Sequence, residues 1–254
     1  MEMMVLEMSI PKAESYVNSH TTPGRGLAYD DYYASDPEVQ YLWAQERRVL
    51  TQMLGDFYAN RPVHLLDFAC GTGRITSFLE DWVESSCGVD VSESMLMEAR
   101  KKLARTALLK VNLLEECPFA RKSFNLITAF RFFLNAEPGL RRAALNALAP
   151  LLAEDGCFVF NIHRNRYSFH HWLTGFYCRV RHCPPERTLS IGECDRLLAQ
   201  VGWEICRVYS VGLLHIPKLR FSDGARERGD QLGLRWKALG RFSDSPIIVA
   251  RKKG

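Results

Sequence analysis

The stretch His64–Thr76, HLLDFACGTGRIT, carries an apolar run into a carboxylate, Asp67. Two closely spaced glycines follow, Gly71 and Gly73, and a helical pattern starts at Arg74. Glycines so placed let the backbone turn sharply and approach a ligand. A helix that starts there offers its positively polarised N-terminus to an anion. The residue types narrow the ligand. A phosphate-cradling loop needs a Lys-Ser/Thr pair after its last glycine, where this chain has Arg74-Ile75. A dinucleotide fingerprint needs a third glycine, and Thr76 stands in its place. Asp67 weighs more, because a carboxylate facing a pyrophosphate costs on the order of 1–4 kcal/mol.

A phosphate-free, cationic cofactor fits better. S-adenosylmethionine carries an ammonium, a sulfonium, a carboxylate and a neutral ribose. Asp67 can attract its cationic end, directly or through water, while Arg74 and the helix N-terminus suit its carboxylate. A second acidic residue, Asp90 in GVDVSESML, lies 17 residues beyond Gly73. An acidic group at the end of the second strand is the usual acceptor for ribose hydroxyls. Val91 and Met95 would cover the adenine.

These residues need a scaffold that brings strand ends together. Residues 1 to about 35 read as an irregular, turn-rich arm carrying Tyr29, Tyr32 and Tyr33. From Pro37 to Tyr58 a helical pattern runs through Val39, Leu42, Trp43, Arg47, Leu50, Met53, Leu54 and Phe57. An alternation of strands and helices follows. Strands are expected at Val63–Phe68, Ser86–Val91, Ala107–Val111, Phe124–Phe130 and Cys157–His163, with helices after Gly73, after the capping Ser92, and over 138–149. Such alternation argues for a parallel, doubly wound sheet. Beyond His163 the regularity fades. Two insertions flank a helix over SIGECDRLLAQ and a strand starting near Trp203, and PIIVARKK reads as a last short strand.

With the elements in place, residues 62–163 resemble the class I S-adenosylmethionine-dependent methyltransferases of the small-molecule type. LLDFACGTGR is similar to that family's first motif, and GVDVSESML to its second. FNLITAFRFFLN resembles the segment around the fourth strand, and LLAEDGCFVFNIH the approach to the fifth. The resemblance implies a Rossmann-like, mostly parallel seven-stranded sheet whose last strand is antiparallel. It implies one methyltransferase domain over 1–254: an N-terminal arm and helix (1–60), a cofactor-binding core (61–163), and a C-terminal part with acceptor-site insertions (164–254). It also implies cofactor contacts at Asp67, Ala69, Gly71, Thr72, Gly73, Asp90 and Val91, at Asn112 and Leu113 after the third strand, and at Phe130 and Arg131 after the fourth. The family often has aspartate at the position of Asn112. The asparagine can still accept from, and donate to, an adenine edge.

Methyl transfer from a sulfonium is an in-line displacement, so holding the acceptor in place is most of the task. The acceptor belongs outside the carboxyl ends of the strands. Arg131, Phe132, Asn135 and His163 lie there, with His163 the candidate base or orienting group. Tyr29 and Tyr33 could close over the site, and His170 on the first insertion is a weaker candidate. The exocyclic-amine signature, Asn/Asp-Pro-Pro-aromatic, is missing after the fourth strand, where Phe130-Arg131-Phe132-Phe133 stands. The glutamate pair of protein-arginine methyltransferases is missing too. From Lys218 to Arg241 seven Lys/Arg face Asp223, Glu227 and Asp230. That stretch reads as a solvated face or as a docking surface for an anionic or carrier-bound acceptor. His170, His171, Cys178, His182 and Cys183 fall close together, but their spacing lacks a second cysteine pair, so no metal is expected.

A net charge of +4 over 254 residues is too mild for a nucleic-acid footprint. No basic, apolar leader and no membrane-length apolar run are found. Eight scattered cysteines suit reduced thiols in a cytoplasm. The expected function is therefore methyl transfer to an oxygen or nitrogen of a small molecule. The alternatives are a catalytically silent S-adenosylmethionine-binding protein, a nicotinamide-dependent oxidoreductase and an RNA methyltransferase.

Overall fold

The computed structural model describes residues 24–181, 187–216 and 221–254. Seven strands form one sheet: β1 His64–Phe68, β2 Ser85–Asp90, β3 Ala107–Lys110, β4 Phe124–Ala129, β5 Leu152–Asn161, β6 Trp203–Tyr209 and β7 Ile247–Lys252. Their order is β3-β2-β1-β4-β5-β7-β6. β1 pairs in parallel with β2 and β4, β2 with β3, and β4 with β5. β7 runs antiparallel between β5 and β6. The expected mostly parallel, doubly wound sheet with an antiparallel last strand is thus present.

The helices are α1 Arg25–Ser35, α2 Pro37–Tyr58, α3 Arg74–Leu79, α4 Glu93–Arg100, α5 Pro138–Leu148, α6 Phe169–Arg181, α7 Ile191–Ala199, α8 Asp223–Arg235 and α9 Lys237–Gly240. Asp36 starts α2 by accepting from the Glu38 and Val39 amides at 2.8 and 3.2 Å. Ser92 caps α4 through the Met95 amide, as the sequence implies.

Alternate residues of the strands point to opposite faces, and both faces are apolar. Leu65, Leu126, Val159 and Val249 meet Leu50 and Met53 of α2 with Ile75 and Leu79 of α3. Leu66, Ile127, Phe158, Phe160 and Ile248 meet Leu145 and Leu148 of α5 with Leu198 of α7. Two covered faces explain why these strands read as continuous apolar runs.

Several expectations need correcting. The arm holds a helix, α1, where the sequence reads as irregular. β5 begins at Leu152 rather than Cys157, and His163 lies two residues past its end. The first insertion contains α6, and the second contains α8 and α9. Arg47 is exposed, and the buried position beside it belongs to Glu46. Residues 1–23, His182, Cys183, Lys218 and Arg220 fall outside the described residues.

α1 docks on α4. The Gly26 amide donates to Ser94 Oγ at 3.1 Å, and Asp30 pairs with Lys102 at 2.5 Å. A Cβ on Gly26 would lie 2.3 Å from the Ser94 carbonyl oxygen, so only glycine permits this approach. Gly26→Ala should cost about 1–3 kcal/mol through overpacking and hasten proteolysis within residues 24–36. Unchanged urea stability and digestion would show that the arm does not dock this way.

Candidate functional site

The sheet order reverses between β1 and β4, which leaves a crevice outside the strand ends. Two adjoining clefts occupy it, sharing Ala69 and Asp90. Including their open mouths they enclose about 590 and 520 Å³, the scale of a nucleoside-sized ligand site.

The β1–α3 loop forms the floor. Ala69, Gly71 and Gly73 all take left-handed φ, at 53°, 56° and 75°, a conformation that glycine adopts without strain. The loop is pinned from β2: the Gly71 amide donates to Asp90 Oδ2 at 2.9 Å, and the Ser92 amide to Asp90 Oδ1 at 2.8 Å. Each carboxylate oxygen keeps a lone pair for a ligand hydroxyl. Burial raises the Asp90 pKa against those amide bonds.

Asp67 is buried beneath the loop. Thr76 Oγ1 donates to its Oδ2 at 2.5 Å, and Thr128 Oγ1 to its Oδ1 at 2.7 Å. Burial pushes the carboxyl up to about 6, and these hydroxyls and Arg74 oppose the rise. Asp67 is therefore a fixed, partly protonatable negative charge that borders the first cleft.

Arg74 and Arg131 supply the positive side of the first cleft. Arg74 Nη1 lies 2.7 Å from Glu46 Oε2, and its guanidinium stacks on Tyr33 and Trp43 at 4.6 and 4.3 Å. Burial works against the Arg74 charge, and Glu46 outweighs it, so its pKa stands above the ordinary value. Arg131 takes φ 60°. Its amide donates to Asn161 Oδ1 at 2.8 Å, and Asn161 Nδ2 donates to Glu46 Oε1 at 3.1 Å.

The remaining sequence candidates divide by position. Thr72, Met95, Phe130, Asn135 and Tyr29 border the first cleft. Burial, with Tyr33 beside it, raises the Tyr29 pKa, so its phenol stays protonated. Val91, Asn112, Leu113 and Phe132 border the second. Phe132 is buried edge-on against Phe68 at 5.0 Å, as part of an apolar wall. Asn112 is engaged locally, donating to Glu115 and accepting from the Leu114 amide.

Tyr33 reaches the site through Arg74. Gly73, His163 and His170 are not among the residues bordering either cleft. His163 Nδ1 is buried without a hydrogen-bond partner. Burial, then Arg131, Arg164 and Arg74, hold its pKa well below the ordinary value, so the imidazole is neutral at pH 7.

The clefts thus differ in chemistry. The first combines buried carboxylates with guanidiniums and suits a zwitterionic, cationic group. The second is apolar with one amide, and suits a flat heterocycle. Asp90 stands where they meet.

Glu46 escaped the sequence reading, as did Thr76, Thr128 and Asn161. Glu46 had a signal: it falls four residues from both Leu42 and Leu50, on the buried stripe of α2. Glu46→Gln would leave two half-buried guanidiniums, Arg74 and Arg131, without this carboxylate. It should destabilise the fold by roughly 3–5 kcal/mol. A urea midpoint matching the parent's would show that the cluster is effectively hydrated.

Comparisons with known proteins follow this geometry. Residues 65–156 match a family model described as "Methyltransferase domain". A trans-aconitate 2-methyltransferase from Acidovorax ebreus (strain TPSY) is 27% identical over 118 residues, 45% of this chain and 46% of that protein. The match thus spans less than half of the relative's length. A methyltransferase structure from Thermotoga maritima has TM-score 0.59 at 16% identity, covering 89% of this chain and 95% of that one. The magnesium protoporphyrin IX methyltransferase of Synechocystis PCC 6803 has TM-score 0.58 at 13% identity, covering 90% and 99%. Residues 65–156 thus match a methyltransferase domain, and the strand order shares the fold of these methyltransferase structures.

Proposed function

We propose that the chain, acting as one unit over 1–254, transfers a methyl group from S-adenosylmethionine to an oxygen or nitrogen of a small-molecule acceptor. The observation that carries this reading is the layout of buried charge. Asp67 and Asp90 sit at adjacent strand ends, Arg74 and Arg131 stand across the cleft, and an apolar slot opens beside Asp90.

The residues present fit that cofactor. Asp90 would accept the ribose hydroxyls. The loop from Ala69 to Thr72 would approach the ligand through backbone, with Gly73 setting the turn, and Arg74 would face its carboxylate. Val91, Met95, Asn112 and Leu113 would enclose the adenine, with Phe130 and Arg131 bounding the other end. Bound S-adenosylmethionine supplies an electrophilic methyl on a sulfonium.

On the acceptor side, Tyr29 and Asn135 border the first cleft and would contact the acceptor, and Tyr33 would hold Arg74. His163 is too weak a base to hold a proton at neutral pH, and Tyr29 is too weak an acid to be a phenolate. A carboxylate oxygen needs no base, because it is already anionic. Arg131 and Arg164 act on His163, and they would favour an anionic acceptor. The name of the Acidovorax relative, which specifies a carboxylate, supports the same preference. His163, which borders neither cleft, is then not needed as the base.

Cys70, Cys87, Cys117, Cys157, Cys194 and Cys206 are free thiols, and no described helix is long and apolar enough to cross a membrane. The free thiols support the reading of a cytoplasmic enzyme.

The test is calorimetric titration with S-adenosylhomocysteine, then methyl-label transfer to pooled carboxylic, hydroxy and amino compounds. Label in a base-labile ester supports the carboxylate reading. Saturable NAD binding without S-adenosylhomocysteine binding would overturn the cofactor. Cofactor binding with no labelled product would favour a silent binding protein.

Asp90→Ala should weaken S-adenosylhomocysteine binding by about 1–3 kcal/mol, the cost of unpairing buried hydroxyls. An unaltered Kd removes the ribose assignment. Ionised Asp67 favours a cationic ligand, and protonation removes that attraction. S-adenosylmethionine affinity should therefore fall as pH drops through about 6, by at most about tenfold per pH unit. In Asp67→Asn the profile should be weaker and flat; a parent profile that is itself flat from pH 7 to 5 refutes the electrostatic role. For His163, kcat should lack an acid limb between pH 6 and 8. A limb near pH 7 that vanishes in His163→Gln would restore it as the base.

A further inference from the structure

Three ligand-forming side chains from separate segments converge outside the residues that border the clefts. They are His170 at the start of α6, His215 after β6, and Asp244 before β7. One donor atom from each lies within 4.8 Å of the others. His170 Nδ1 is 3.5 Å from Asp244 Oδ2. Asp244 Oδ1 already accepts from Ser168 Oγ at 3.1 Å, which leaves Oδ2 facing the histidines. His215 is 6% exposed, and its Nδ1 has no hydrogen-bond partner. Glu38 Oε2 lies 3.3 Å from that nitrogen, and it too is buried without a hydrogen bond. The other Glu38 oxygen is held by Arg226 at 2.7 Å.

A hydrogen-bonded network alone explains the His170–Asp244 edge and leaves the His215 nitrogen unsatisfied, at a cost for a buried polar atom. A cation would satisfy all three donors together. We propose that His170, His215 and Asp244 form a binding site for one divalent transition-metal ion of the zinc type, with Glu38 placed beside the remaining position. Two imidazoles and a carboxylate suit Zn²⁺, Co²⁺ or Ni²⁺, whereas Mg²⁺ and Ca²⁺ prefer oxygen ligands alone. Ligands about 2.0–2.1 Å from a tetrahedral zinc sit roughly 3.4 Å apart. One edge already matches, and small rotamer changes would draw in the rest. The ion would staple the two insertions to the loop before β7. Asn165 already binds that loop through the Arg241 and Ser243 carbonyls, at 2.7 and 3.0 Å.

The experiment uses the full-length, tag-free chain, stripped with chelator and titrated with Co²⁺. One Co²⁺ per chain should bind with visible d–d absorption, Zn²⁺ should displace it, and Zn²⁺ should raise the melting temperature by several degrees. His215→Ala and His170→Gln should each weaken binding about tenfold or more. His170 is partly exposed, so His170→Gln keeps the test valid if His215→Ala fails to fold. Cys178→Ser/Cys183→Ser should bind as the parent does. No stoichiometric Co²⁺ binding would overturn the proposal. So would binding lost in the cysteine variant and retained in His170→Gln.

Discussion

One buried carboxylate holds the switch point of this sheet together. Glu46, fully buried on α2, faces Arg74 at 2.7 Å and Arg131 at 3.9 Å, and accepts from Asn161 at 3.1 Å. It thereby ties the helix preceding the sheet to the loop helix α3 and to the ends of β4 and β5. Asn161 passes the constraint on, because its other amide atom accepts the Arg131 N–H. Arg131 is a non-glycine residue in the left-handed region, a conformation costing about 1–3 kcal/mol and sustained only where surroundings over-determine it. Here the surroundings are the Glu46–Asn161 pair. Arg74, flat between Tyr33 and Trp43, uses a geometry that lysine cannot reproduce.

The same pair divides the crevice electrostatically. Guanidiniums crowd the α2 side, while Asp67 and Asp90 lie under and beside the loop. The two carboxylates are held in different ways. Asp67 is clamped by two hydroxyls and shifted by burial to about 6. Asp90 is clamped by two amides, which hold it against the loop it must position. Burial, reinforced by the nearby arginines, keeps the His163 imidazole neutral, so the charge arrangement that suits an anionic ligand also helps to remove a base. The proposed carboxylate acceptor, already anionic, would need no such base.

The core was legible because buried parallel strands leave little freedom. Phe158–Phe160 and Ile247–Ala250 must be apolar on both faces, and Asp67 and Asp90 are conspicuous at the ends of such runs. The helices missed were those whose local signals contradict their context. α8 contains Gly224, Gly229 and Gly233, which lower helix propensity by about 1 kcal/mol each relative to alanine. Tertiary contact demands two of them: a Cβ on Gly233 would lie 2.3 Å from Ser210 Oγ, and one on Gly229 2.8 Å from Leu214. α6 does carry apolar residues at helical spacing (Phe169, Trp172, Leu173, Phe176), but Phe169 and Trp172 stay exposed, so its pattern marks no core face. α1 is held by its contacts with Ser94, Lys102 and Arg74 rather than by an apolar face of its own.

The two halves of the crevice differ in how they are encoded. The floor is made by backbone, and backbone conformation imposes strict demands on a short contiguous run: two glycines, a capping serine, a carboxylate at a strand end. Such demands can be read from a dozen residues. The opposite side is made by side chains that meet only in three dimensions. Glu46, Arg74, Arg131 and Asn161 come from four separate stretches, and the same holds outside the clefts for His170, His215 and Asp244. A reading along one insertion groups His170 with the histidines and cysteines nearest in sequence. The fold instead brings it to an aspartate more than seventy residues downstream. Insertions free of the strand-end rules can place chemistry in this way, through tertiary contacts rather than through a motif.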